Sequence, residues 1–309
     1  MSAYTVFESV GDAAKDLMGT AVVSALKKAQ PEREIVVVTL HPEVWLHNPA
    51  VHRVYRLGSM AYFYDDFVKD KDVLILRHDP YTTTDYLYSR KHLIEIWCDL
   101  CKVPYNGELP NLHFTWRERE AAQKLTTSNK PLFFIHATTS ADQKLPTFWA
   151  KDIPIALAQA VVNEMNKRGY QTVQLRDPHH PMLGGASTLD FNLRQTLCAI
   201  QFAKKRLFVD SFASQTAAAF GLPAVIAYVT GDPKLTGYKT EKSLKALEHL
   251  NKEGMKSVEK LAEYIDSYKE GYDIAGAMRM SPFPLESLFS LERIITALES
   301  DQGDQIEIN

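Results

Sequence analysis

The sequence predicts an α/β protein made of two similar halves. Three observations carry this. β-rich runs alternate with amphipathic helical segments along most of the chain. Several of those runs are nearly uninterrupted apolar stretches, the pattern of strands covered on both faces of a parallel sheet. Each half opens with a strand that runs into a polar loop. A length of 309 residues fits about two domains at roughly 150 residues each.

In the first half, residues 4–10 (YTVFESV) form a β-rich run that ends at Gly11. Residues 13–30 read as a helix, with Leu17, Val22, Ala25 and Leu26 at helical spacing and Pro31 as its stop. Strands are expected at 34–40 (EIVVVTL), 51–57 and 72–77, and a second helix at 86–102. Residues 106–130 change character: Pro110, the charged run Arg117 to Glu120, then Thr126, Ser128 and Asn129 place a domain boundary near Asn129. The second half repeats the alternation, with strands at 131–136, 172–175, 206–209 and 224–229. Its helices are expected at 148–168, 193–204 and 214–220, with a polar helix at 242–269 and a last amphipathic one at 285–299. Residues 231–239 form a turn-rich loop, and 303–309 a frayed tail. The domains are thus expected at 1–129 and 130–284, followed by a terminal helix within 285–309.

Composition bounds the function without naming it. The hydrophobic fraction of 45% supplies a core, and no run reaches the ~18–20 apolar residues of a membrane span. Residues 1–10 lack the basic start and apolar stretch of a secretory signal. Three cysteines fit a reducing cytoplasm better than a disulfide framework. A net charge of −3 gives no global drive toward nucleic acid or anionic membrane. The expected location is the cytoplasm, with peripheral attachment to a membrane left open.

Open α/β sheets bind ligands beyond the carboxyl ends of their strands, so the loops after strands matter most. The first holds Gly11, Asp12 and Asp16, where an aspartate serves either as a helix cap or as a base. The second, 136–144, brings Thr138, Thr139 and Lys144 together as a phosphate cradle or an ordinary polar loop. In the third, 209–223, a strand ends in Asp210-Ser211 and enters an alanine-rich helix. Its N-terminus suits a phosphate and its carboxylate sugar hydroxyls, although a capping aspartate explains the pattern as well. The fourth, 231–239, is by itself a Gly/Pro turn. Cys98 and Cys101 sit on a helical apolar face with only Cys198 remaining, short of a zinc set. His179-His180 reads as an exposed loop, and Asp70-Lys71-Asp72 as a solvated turn before a strand. Walker, G-x-G-x-x-G, G-x-S-x-G and H-E-x-x-H patterns are missing, which disfavours a nicotinamide oxidoreductase.

Taken in order, these loops resemble glycosyltransferase family 9, the ADP-heptose:lipopolysaccharide heptosyltransferase type. Gly11-Asp12 with Pro31, then Asn48-Pro49-Ala50-Val51, are similar to that family's opening blocks. His136-Ala137-Thr138-Thr139 with Lys144, Pro146 and Trp149 is similar to its phosphate loop. Asp210-Ser211 through Ala217 to Pro223 resembles its DSG…AAALG-P signature, and Asp232-Pro233 with Gly237-Tyr238 the segment after it. Phe212 stands where the family has glycine and Gln215 where it has histidine, so the resemblance does not fix ADP-heptose as the donor. Three extra residues between Asp12 and Met18 make Asp16 a competitor of Asp12.

The resemblance implies a GT-B fold: two Rossmann-like domains facing across a cleft, acceptor on the first, nucleotide-diphosphate sugar on the second. It implies transfer with inversion to a hydroxyl of a glycan or glycolipid, with no bound metal and no cofactor beyond the donor co-substrate. Asp12, or Asp16, would be the base. Lys144, Thr138 and Thr139 would receive the diphosphate, with Gly11 shaping the first loop. The helix start at Ser211, Phe212, Ala213, Ser214 and Gln215 would add its dipole, Asp210 would hold sugar hydroxyls, and Arg176 would meet the nucleotide. The terminal helix would cross back onto the first domain. Two alternatives remain: a GT-B transferase acting on a protein or a modified nucleic-acid base, and a non-catalytic nucleotide-sugar binding protein. Scattered lysines and arginines in the first half form no stripe, so nucleic acid is not indicated, though not excluded.

Overall fold

The computed structural model describes residues 2–139, 147–246 and 288–300. Within these, the chain forms two parallel sheets. The first contains β1 (Ala3–Ser9), β2 (Glu34–Thr39), β3 (Arg53–Arg56) and β4 (Asp72–Leu76), in the order β3-β2-β1-β4. The second contains β5 (Leu132–His136), β6 (Gln171–Gln174), β7 (Ala186–Thr188), β8 (Lys205–Val209), β9 (Ala224–Tyr228) and β10 (Glu241–Lys245). Its order, β10-β9-β8-β5-β6-β7, is the doubly wound order 3-2-1-4-5-6 read from the other edge. Every named pair runs parallel, so helices must cover both faces.

Helices α1 (Ala13–Ala29), α2 (Pro42–Trp45), α3 (Phe63–Phe67), α4 (Thr84–Leu87), α5 (Leu93–Leu100) and α6 (Trp116–Leu125) belong to the first half. The second half has α7 (Ile155–Lys167), α8 (Leu193–Ala199), α9 (Phe212–Ala219), α10 (Pro233–Thr236) and α11 (Leu291–Glu299). Among the described residues, none is long and apolar enough to cross a membrane. Helix α1 lies between the halves. Its Leu17, Met18, Val22 and Leu26 join Phe7, Trp45 and Trp97 in one apolar cluster, and that cluster also takes in Leu197, Phe212 and Phe220 of the second half. The halves therefore share buried surface, which fixes how the strand ends of one face those of the other.

Several expectations are corrected. The helix foreseen at 86–102 is two pieces, because Ser89 adopts φ 47° and His92 then caps α5 through Ile94 N. The helix foreseen from 148 starts at Ile155, behind Pro154, because Asp152 folds the preceding residues into a turn. The polar helix foreseen from 242 begins instead as β10, paired with β9; its remainder lies outside the described residues. Among the described residues, the last helix packs on its own domain, where a return onto the first was foreseen. Ile294, Ile295 and Leu298 of α11 enter the core that α7, β8 and β9 form in the second half, and Arg168 pairs with Glu299 there. Its apolar stripe fills a surface beside its own sheet.

Candidate functional site

The strand order reverses between β1 and β4 in the first sheet and between β5 and β8 in the second, and the loops leaving those carboxyl ends face each other. They enclose a cleft of 230 Å³ lined by Asp12, Met18, Tyr81 and Tyr86 from the first half and by Phe148, Lys151, Asp210, Tyr228, Asp232 and Thr236 among others from the second. Of the residues foreseen at the site, Asp12 and Asp210 line it.

Asp12 caps α1: its Oδ1 accepts from Lys15 N at 2.9 Å. Gly11 is needed beside it, since a Cβ there would come within 2.8 Å of Lys15 Cδ. The Lys15 stem is buried, and its Nζ meets Asp79 Oδ1 at 3.2 Å. Asp210 is half-buried and accepts from Thr236 Oγ1 at 3.0 Å. Burial pushes its carboxyl up, and Lys151 and the Thr236 hydroxyl work against that. Tyr81 is pushed up by burial and by the carboxylates of Asp12 and Asp210, so its phenol stays a neutral donor.

Asp16, one turn beyond Asp12, is placed differently. It is fully buried, with Thr39 Oγ1 donating to Oδ2 at 2.7 Å and Trp45 Nε1 to Oδ1 at 3.3 Å, and it is absent from the cleft lining. It ties α1 to β2 and α2. Burial raises its carboxyl to about 6, against the pull of its hydrogen bonds. A folded carboxyl titrating above its ordinary 3.8 binds its proton more tightly than the unfolded chain does. Its stabilising contribution is therefore greatest below 3.8 and is lost as the pH rises through about 6. Asp16→Asn is expected to flatten stability between pH 4 and 6, read from urea midpoints, whatever its offset.

The loop foreseen as a phosphate cradle begins at the end of β5. Thr138 is fully buried with no partner for Oγ1 among the described residues, and Thr139 is held by Asp152, whose Oδ1 accepts from both its amide and its hydroxyl at 2.9 Å. Lys144 lies outside the described residues. Across the switch point, Ser211 caps α9, accepting from Ala213 N, while Ser214 Oγ accepts from Ser211 N. Ser211 Oγ also lies 2.9 Å from His136 Nδ1, and burial drives that imidazole down to about 3, so it is neutral. Phe212 packs its ring 5.0 Å from His136. Gln215 is buried, its Oε1 accepting from Tyr238 and its Nε2 donating to Thr236 O, so the amide holds the fourth loop against α9. Arg176 turns into its own loop, where Nη1 donates to the carbonyls of Asp177, Pro178 and His180. Asp177, His179 and His180 bring ligand atoms within 4.8 Å of one another, a convergence the sequence reading missed. The Arg176 guanidinium already closes that loop.

Tyr81, Tyr86 and Lys151 also escaped the sequence reading. The first two follow β4, a loop after a strand that the general rule does flag.

No family profile matches the sequence, and no curated protein matches it either. Solved structures do match in shape. The chain is similar to the glycosyl transferase family 9 protein of Veillonella parvula, at TM-score 0.67 and 14% identity over 96% of this chain and 95% of that one. It is similar to E. coli ADP-heptose lps heptosyltransferase II, at TM-score 0.56 and 14% identity over 79% and 89%. It is also similar to E. coli heptosyltransferase WaaC with ADP, at TM-score 0.54 and 15% identity over 84% and 99%. The chain has the GT-B fold. Two Rossmann-like domains meeting at their strand ends are the architecture of these glycosyltransferases, and in this GT-B chain Asp12 and Asp210 belong to opposite walls of the cleft.

Proposed function

We propose that the chain is a glycosyltransferase, moving a sugar from a nucleotide-diphosphate donor of the ADP-heptose kind to a hydroxyl of a glycan or glycolipid, with inversion and without a bound metal. One observation carries this reading. Asp12, after the first strand of one domain, and Asp210, after the fourth strand of the other domain's doubly wound order, line the same 230 Å³ cleft of a GT-B fold. In the proposed reaction Asp12 accepts the acceptor's hydroxyl proton as the acceptor oxygen attacks the anomeric carbon. Asp210 takes donor sugar hydroxyls, and the buried Thr138 hydroxyl, Lys144 and the α9 N-terminus receive the departing diphosphate, while Thr139 is engaged by Asp152. The reading places the protein in the cytoplasm, where nucleotide sugars are made.

The test is a thermal-shift screen against ADP, UDP, GDP, CDP and ADP-heptose. A ligand at 100 times its dissociation constant adds about 2.7 kcal/mol, which is readily visible. At least one diphosphate is expected to raise the melting temperature, and sugar transfer or donor hydrolysis is expected to be unchanged by EDTA. Silence from all five ligands would overturn the reading, and a strict divalent requirement would overturn its metal-free form.

A further inference from the structure

We propose that Lys151 is a second cation for the donor diphosphate, a role distinct from that of Lys144; this rests on the nucleotide-sugar reading above. Among the described residues, Lys151 is the one cation lining the cleft, against three carboxylates, Asp12, Asp210 and Asp232. It enters no ion pair among the described residues, whereas Lys15 and Lys245 are matched to Asp79 and Asp232. A dianionic ligand entering a cleft with three carboxylates needs cationic compensation, because opposed charges at close range in a partly desolvated site interact strongly.

The backbone places Lys151 at the switch point. Its amide donates to Phe148 O at 3.0 Å, closing a tight turn. On one side, Ala150 O accepts from Thr230 N at 3.1 Å and from Thr230 Oγ1 at 2.8 Å, which ties the turn to the end of β9. On the other, Asp152 holds Phe148 N at 2.7 Å through one oxygen and Thr139 through the other, which ties it to the loop after β5. Lys151 is thus held from both neighbours in the chain, on a frame that reaches Thr139. During transfer the acceptor oxygen bonds to the anomeric carbon while the bond from that carbon to the diphosphate oxygen breaks. The electron pair leaves on the diphosphate and the acceptor proton passes to Asp12. The Lys151 ammonium meets the charge that gathers on the departing group.

Calorimetric titration tests this with ADP, UDP, GDP and CDP and, for whichever the wild type binds, the matching nucleoside. Lys151→Met is expected to weaken diphosphate binding about tenfold or more, the effect of losing one hydrogen bond to a charged group. Nucleoside binding should stay unchanged, and Lys151→Arg should restore most of the loss. The deficit should shrink as salt is raised. If the Met variant fails to fold, Lys151→Gln gives the same readout. Wild-type diphosphate affinity in the Met or Gln variant overturns the proposal and leaves the transferase reading standing. A wild type that binds neither the four diphosphates nor ADP-heptose overturns both.

Discussion

Asp12→Asn is expected to lower turnover by about 10³-fold, within the range that a positioned general base contributes, while leaving nucleotide-diphosphate affinity within about twofold of wild type. The separation follows from geometry. Asp12 stands on the wall contributed by the first domain, and the elements proposed to take the diphosphate belong to the second. Asparagine keeps the Oδ1 that accepts from Lys15 N, and it ranks with aspartate as a helix cap, so stability should change by under about 0.5 kcal/mol. The experiment is a parallel measurement of kcat, of diphosphate binding and of the melting temperature. Near-normal turnover in this variant would remove Asp12 as the base. Asp16 is a poor substitute, since its oxygens are engaged by Thr39 and Trp45 away from the cleft.

What the sequence made legible was the part written in local pattern. The β-branched run of β2 and the apolar run of β5 announce buried parallel strands, and the rule that ligands gather past strand ends picks out Asp12 and Asp210 before any coordinates. β10 was hidden because EKSLK carries the charges of an edge strand with a single partner, β9. The stripe of α11 shows that Ile294, Ile295 and Leu298 must be covered, but amphipathicity does not say by what. Lys151 has no motif at all. Its place depends on Thr139 and Thr230, partners that only the fold brings to residues 150–152. The two alternatives for Asp12, cap and base, turn out compatible, because its cap bond engages Oδ1 while the residue lines the cleft.

Arg194→Ala is expected to cost about 3 kcal/mol, the scale of breaking one side of a largely buried ion pair. For a chain of this size that is a fall of roughly 4–6 °C in melting temperature. Arg194 leaves α8 of the second half and is nearly buried, at 9% side-chain exposure. Its Nε donates to Glu118 Oε1 at 2.8 Å, Nη1 to Glu43 O at 3.0 Å and Nη2 to His113 O, all three acceptors lying before β5. The guanidinium lies 3.9 Å from the ring centre of Phe114, which stacks on Phe220 of the second half. Burial alone would raise Glu118, but the Arg194 bond together with the Thr115 amide and hydroxyl holds it at about 2. A carboxyl depressed in the folded state adds stability above its ordinary 4.5, and that stability is lost as the pH falls toward 2. The Ala variant should therefore lose less between pH 4.5 and 2 than wild type, in denaturant titrations at each pH. A wild-type acid slope in the variant would show that Thr115 alone sets Glu118. Because this pair spans the two domains and the donor wall lies within one of them, the same variant should lower the transfer rate more than it lowers diphosphate affinity. Equal losses in both would mean that Arg194 supports the second domain internally instead of the alignment of the two walls.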